Sequence, residues 1–263
     1  MGRTPGSAVW PLVLSLHHVH PTQSSRFVLS LPRLGSLLEH MLEDGHAPVS
    51  LEEAVATGPF GDGSARPKTF TLTFDDALLS FRELVFPALG RLGLLGASAA
   101  FVPTAYVGGR NEWLTPPGLL ARALGRIDVP ERLMSWEQLE EISRAGVSVQ
   151  SHGHAHLHLD ELSYDEARAD VRTSLALLAE HGIRARYLAL PFGASSRSAE
   201  RAARDARVDA AFTVKTGGRN RFEIRRVPMY GTDSAPMTRL KLSGRFFDLF
   251  GPAAGLASSL TRR

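Results

Sequence analysis

Lys68-Thr69-Phe70-Thr71-Leu72-Thr73-Phe74-Asp75-Asp76 decides the fold: an apolar run of strand length passes straight into two adjacent carboxylates. Two other stretches share the design. Residues 9–16 run into His17-His18-Val19-His20, and residues 147–150 run into Ser151-His152-Gly153-His154-Ala155-His156-Leu157-His158. Seven of the ten histidines therefore fall in two short windows, each opening at the carboxyl end of a predicted strand. In parallel α/β folds that edge is where ligands bind and chemistry is done. Packing alone rarely gathers polar residues at three strand ends.

Working outward, further strands are predicted at 97–102, 186–190 and 209–214, with a short last one at 225–229. Helical patterns lie between them. Residues 32–42 put Leu34, Leu37, Leu38, Met41 and Leu42 on one face, with Gly45 as the stop. Ser135-Trp136-Glu137-Gln138 reads as a capping box opening a helix that ends near Gly146, and Ser163-Tyr164-Asp165-Glu166 as another for a helix ending at His181-Gly182. Strands alternating with helices over one domain's length, 1–263, predict a parallel sheet, open or closed into a barrel. The Gly-rich, polar stretch 58–67 reads as disordered or as a surface excursion.

The chain has 263 residues, 43% of them hydrophobic and 22% charged, which suits a folded core and excludes a largely disordered chain. No apolar run approaches the ~20 residues of a membrane-spanning helix. Cysteine is absent, so disulfides, thiolate metal sites and cysteine nucleophiles are excluded. Any metal must be held by His, Asp or Glu. The net charge of +3 hides an asymmetry, because residues 215–263 carry ten basic and three acidic residues. This basic C-terminal segment, with Arg245 beside Phe246, Phe247, Leu249 and Phe250, is a candidate for peripheral contact with an anionic membrane; a solvated Arg-rich surface is the plainer reading. No nucleic-acid partner is predicted. The apolar run near the N-terminus contains Pro11 and leads into histidines rather than a small-residue cleavage site, so it reads as a buried strand and predicts a cytoplasmic protein.

Asp75 and Asp76 cannot both be buried without compensation. A metal ion would resolve this for one of them, though an Asp after a strand is also a common helix N-cap. The histidine window from 152 is more specific. On a helical turn His152 and His156 share a face at a spacing suited to one metal; in an extended stretch all four histidines share a face. Two neutral imidazoles and one carboxylate leave a position open for water and suit zinc, cobalt or nickel rather than magnesium. A histidine at the end of the first strand is either a hydrogen-bonded structural residue or, on this rim, a proton donor.

These motifs resemble those of the NodB-homology polysaccharide deacetylases, a family of metal-dependent carbohydrate esterases. Thr73-Phe74-Asp75-Asp76 resembles the first motif, Ser151 to His156 the second, and Leu190-Pro191-Phe192-Gly193 the third, as it occurs in the poly-N-acetylglucosamine deacetylase branch. Val13 to Val19, Ala47 to Glu53 and Arg226-Val227-Pro228 are similar to that branch as well. The resemblance implies a distorted (β/α) barrel with fewer than eight parallel strands. It implies Asp76, His152 and His156 as metal ligands, Asp75 as general base, His17 as general acid, and Pro191, Phe192 and Gly193 around the oxyanion, with the Phe192 N–H as donor. Ala77 stands where the family has Gly. Ala189 and Leu190 stand where many relatives carry an arginine that orients the base, and Arg226 is the candidate to take its place. His158 is expected beside the site or on the surface.

The implied activity is removal of an N-acyl group, chiefly acetyl, from an amino sugar, glycan or glycan precursor, with a nucleotide- or lipid-linked sugar favoured by a cytoplasmic setting. The alternatives are a deacylase of a small N-acylated metabolite, an inactive metal- or glycan-binding module, and a TIM-barrel amidohydrolase. The last is disfavoured because its His-x-His pair usually lies on the first strand.

Overall fold

The computed structural model describes residues 11–57, 68–111, 131–214, 218, 220–247 and 249. The stretch 58–67 and residues 250–263 lie outside them. In chain order the strands are β1 (Leu12–Leu16), β2 (His18–His20), β3 (Val28–Ser30), β4 (Ala47–Pro48), β5 (Thr69–Phe74), β6 (Ser98–Val102), β7 (Ser148–Ser151), β8 (Tyr187–Ala189), β9 (Ala210–Thr213), β10 (Ile224–Arg225) and β11 (Val227–Pro228). The helices are α1 (Leu31–Glu43), α2 (Leu51–Thr57), α3 (Phe86–Arg91), α4 (Trp136–Arg144), α5 (Tyr164–Glu180), α6 (Arg197–Asp205) and α7 (Ala235–Leu242).

The main sheet runs β10-β9-β8-β7-β6-β5-β1-β11, with β4 added against β5, and its pairings are parallel. Its two ends are one stretch of chain. Residues 224–225 pair with β9, Ile224 opposite Phe212, and residues 227–228 pair with β1, Val227 opposite Leu14. Between them the Arg226 N–H donates to Thr213 O at 2.8 Å, and the Met229 N–H donates to Ser15 O at 2.9 Å. Segment 224–228 is thus the seam that closes a barrel. Counting it once leaves fewer than eight staves, as the resemblance implied.

Side chains alternate across each strand, and two apolar clusters follow that period. Leu12, Leu14, Ala100 and Val102 face outward onto α1, α3 and α4, where Leu34, Leu38, Leu89, Leu139 and Ile142 cover them. Val13, Ala99, Phe101, Ala189 and Phe212 fill the interior, and α2 plugs one end with Leu51, Ala54 and Val55. A third cluster joins α5 and α6 to β8 and β9 through Val171, Ala202, Leu188 and Ala211.

Most boundaries fall within one or two residues of the sequence reading. Leu34, Leu37, Leu38 and Met41 of α1 are buried, but Leu42, expected on the same face, is 42% exposed at its margin. Gly45 follows in the left-handed region at φ 77°, as a helix stop requires. The predicted last strand is broken at Arg226, because its halves serve opposite edges. The two-stranded sheet of β2 and β3 was not foreseen: three-residue strands rich in His and Ser carry no readable alternation. The segment beyond 215 is more than a basic surface. Arg226 and Lys241 are buried in ion pairs with Asp75 and Asp233, and Phe247 packs against the outer core. Leu249 is 63% exposed, and among the described residues no helix is long and apolar enough to cross a membrane.

Both capping boxes form. The Gln138 N–H donates to Ser135 Oγ, and the Ser135 N–H donates to Gln138 Oε1 at 2.9 Å. Ser135→Ala should cost about 1 kcal/mol, lowering the thermal midpoint by about 2–4 °C for a chain of this size, measurable by circular dichroism.

Candidate active site

Three of the strands deliver the polar windows to one edge. The Asp75 N–H donates to Leu16 O at 2.9 Å, extending the β1–β5 ladder past its last strand residue, and the His152 N–H does the same to Val102 O at 2.9 Å. At Asp76 and Ala77 the backbone turns left-handed, with φ of 70° and 50°. That reversal sends the two neighbouring carboxylates apart. The Gly usual at position 77 in relatives would accept this conformation without the strain that Ala bears.

Asp75 points to the seam. The Arg226 guanidinium donates to both of its oxygens, Nη1 to Oδ1 at 2.6 Å and Nη2 to Oδ2 at 2.7 Å, and Nη1 also donates to Thr73 Oγ1 at 2.9 Å. Arg226 is 1% exposed, with its guanidinium carbon 5.2 Å from the centre of the Phe101 ring. Burial pushes the Asp75 carboxyl up, but the charge and hydrogen bonds of Arg226, helped by His152 and His17, hold it well below the usual carboxylate range. On the other side of Asp75, His17 Nε2 lies 3.8 Å from Oδ2 and is partly open to solvent.

Asp76 turns to the histidines. Its Oδ1 lies 3.3 Å from His156 Nε2 and 3.6 Å from His152 Nε2, and the three ligand-type atoms lie within 4.8 Å of one another. All three residues are buried. The His152 Nδ1–H donates to Ala189 O at 2.8 Å, which turns the Nε2 lone pair toward Asp76. Burial pushes the His152 pKa down to about 4, so its imidazole is neutral at physiological pH. Burial raises the Asp76 carboxyl, but the facing imidazoles outweigh it and the net shift is downward. Asp76 Oδ1 accepts no hydrogen bond of good geometry among the described residues. A buried carboxylate oxygen without a hydrogen bond of good geometry, facing two imidazoles, fits a divalent cation of the zinc, cobalt or nickel type.

The 152–158 window is neither a helical turn nor an extended strand. Gly153 and His156 have φ of 75° and 51°, so a loop brings His156 back beside His152. Asp170, on α5, organises that loop by accepting the His154 N–H at 2.8 Å and the Ala155 N–H at 2.9 Å. A Cβ on Gly153 would lie 2.7 Å from Asp170 Oδ1, so the glycine is required twice over. Sequence reading missed Asp170. Its signal was an acid on the buried stripe of Ala167, Val171, Ser174 and Leu178.

The remaining histidines separate. His154 bonds Thr104 Oγ1 at 3.0 Å, away from the cluster. His18 contacts Glu131 at 2.6 Å, and His20 Nδ1 accepts from the Thr22 and Gln23 N–H groups. His158 stacks on Phe192 at 3.7 Å, and His156 meets the same ring edge-on at 4.8 Å. Pro191, Phe192 and Gly193 follow β8 on the same rim. Phe192 is left-handed at φ 59°, and a Cβ on Gly193 would strike Val214.

A parallel α/β barrel with carboxylates and imidazoles gathered at the carboxyl edge of its strands is the architecture of an enzyme. A sequence model described as polysaccharide deacetylase matches residues 62–211, more than half of the chain, and the chain belongs to that family. Solved structures with the same fold include IcaB from Ammonifex degensii, with a TM-score of 0.70 and 22% identity over 88% of this chain and 97% of that one. The Streptococcus pyogenes deacetylase PplD in complex with acetate matches with a TM-score of 0.68 and 18% identity, over 90% of this chain and 99% of that one. A de-N-acetylase from Aggregatibacter actinomycetemcomitans matches with a TM-score of 0.69 and 15% identity, over 88% and 98%. No curated protein sequence matches the chain.

Two outcomes test this geometry. Arg226→Met should cost about 3–5 kcal/mol by leaving Asp75 buried and unpaired, and Asp75→Asn in the same chain should recover part of that loss, read by urea denaturation. Asp75 has a lower pKa folded than unfolded, so the pair's contribution is complete above about pH 4 and is lost as acid approaches the folded value. Asp170→Ala should leave two loop N–H groups without acceptors and weaken zinc binding by about 10–100-fold, read by competition with a chromogenic chelator. Unchanged zinc affinity would show that the loop holds its shape without Asp170.

Proposed function

We propose that the chain is a metal-dependent hydrolase that removes an N-acyl group, chiefly acetyl, from an amino sugar of a glycan or glycan precursor. The observation that carries this reading is the division of labour between adjacent carboxylates. Asp76 joins the imidazoles of His152 and His156 in a buried ligand set, while Asp75 is fixed by Arg226 with no place in that set.

When bound by Asp76, His152 and His156, a zinc-type cation supplies Lewis acidity toward an acyl oxygen and acidity to a neighbouring water, the latter suited to a base as weak as Asp75. Asp75 takes a proton from the attacking water, and Arg226 keeps its carboxylate ionised and oriented throughout. The Phe192 N–H donates to the oxyanion as the carbonyl carbon becomes tetrahedral. His17, within 3.8 Å of Asp75 and reachable from solvent, passes its proton to the departing nitrogen. The carbon–nitrogen bond breaks to leave a carboxylate and a free amine. The arginine absent from the third motif was the reason to consider an inactive module, and Arg226 supplies an equivalent contact from the seam.

Acetate release from an acetylated chito-oligosaccharide should stop on treatment with a chelator and return on adding zinc, cobalt or nickel. Asp75→Asn should keep its metal and lose at least about 100-fold in turnover, whereas His152→Ala should lose both. Acetate release that survives complete removal of metal, verified by elemental analysis, would overturn the reading.

A further inference from the structure

Beside His17 stands a feature that neither the core nor the mechanism accounts for. Phe27 is 36% exposed, the only exposed phenylalanine among the described residues. Its ring lies 5.3 Å from the His17 imidazole, tilted by 59°. Tyr230 backs it edge-on at 5.8 Å, and the Arg26 guanidinium lies within 5.5 Å of both ring centres. Tyr230 in turn rests against Lys241 Nζ at 4.5 Å, and Lys241 is buried and paired with Asp233 at 2.6 Å.

The backbone that presents Phe27 is fixed on both sides. The β2–β3 sheet returns the chain to His17 through the His18 N–H, which donates to Phe27 O at 3.2 Å. The Ser25 N–H donates to Val28 O at 2.9 Å, and the Gly231 N–H donates to Arg26 O at 3.3 Å. A Cβ at Gly231 would lie 2.0 Å from Val28 O and 2.4 Å from Ser25 O, so the turn carrying Tyr230 is pressed directly onto this loop. An exposed ring on a mobile loop would fold onto the nearest apolar surface. This one is held out in a set orientation, and preorganisation of that kind lowers the cost of binding.

We infer that Phe27, backed by Tyr230, is the platform for the pyranose ring that carries the reacting amide. The inference rests on the proposed deacylation, because it uses His17 as donor to the leaving nitrogen. That nitrogen remains bonded to a ring carbon, so the sugar lies on the His17 side and the acyl group lies toward His152 and His156. Phe27 is the apolar surface next to His17. The axial C–H bonds of a pyranose chair form a weakly positive face that complements the negative face of an aromatic ring, while the hydroxyls at its rim stay in water. The substrate class is therefore a ring-bearing N-acylhexosamine, not an acyclic N-acyl metabolite.

Calorimetric titration of the metal-free full chain with the tetramer of N-acetylglucosamine tests the platform without turnover. Phe27→Ala should weaken binding about tenfold, and Phe27→Trp should stay within about twofold of the parent chain. Thermal midpoints equal to the parent's establish that the variants are folded. In the zinc-loaded protein, Phe27→Ala should raise KM for the tetramer by a similar factor. Tetramer affinity unchanged in Phe27→Ala overturns the platform even if acetate release is intact. A parent chain that binds the tetramer through Phe27 but releases no acetate overturns the deacylation and leaves the platform standing.

Discussion

The paired contact between Arg226 and Asp75 is the constraint on which the rest of the molecule depends. Its partners are 151 residues apart, one from the seam that closes the barrel and one from the end of a central strand. Both charges lie deep in the barrel mouth, where neither is tolerable alone. The seam must therefore arrive in the register that places Arg226 between its two short strands, with Phe101 beneath the guanidinium and Thr73 at its edge. Closure of the fold and orientation of the carboxylate are one event. The guanidinium that meets Asp75 comes from the seam, on the opposite side of the barrel from the histidine loop.

The second organising feature is backbone strain. Among the described residues, five that are not glycine have positive φ, and Asp76, Ala77, His156 and Phe192 belong to the site; only Arg207 lies elsewhere. Each of the four sits where chain leaving a strand must double back so that a side chain meets its neighbours, at a cost of about 1–2 kcal/mol apiece. Surrounding contacts hold them there. Asp170 grips the histidine loop through two N–H groups, Pro191 packs close to Gly153, and His156 and His158 flank the Phe192 ring. Strain concentrated in this way marks a surface kept in one working conformation.

Much of the architecture was legible in the amino-acid order. The strand runs, the amphipathic stripe of α1 and the two capping boxes are local signals, set by side-chain periodicity and by hydrogen bonds within one helical turn. The grouping of Asp75, Asp76, His17, His152 and His156 on one rim followed from a single rule, that parallel strands share a carboxyl edge. Local signals failed where the period was too short to read, as in β2 and β3, and where one residue lay at the margin of a stripe, as with Leu42.

By itself the sequence determined which elements form, which rim carries the polar residues and which family those motifs resemble, because each of these depends on neighbours within a few positions. The resemblance singled out His17, His152 and His156, but only the tertiary structure decided how each histidine is partnered. His18 goes to Glu131, His154 to Thr104 and His158 to Phe192, while His152 and His156 close on Asp76 through a loop that neither helical nor extended spacing describes. It also decided that Asp170 shapes that loop, and it joined Arg226, already a candidate from the sequence, to both oxygens of Asp75. Those partners come from distant parts of the chain, and burial forces each polar group to find one; pairing of that kind is set by how the barrel closes and has no period along the sequence.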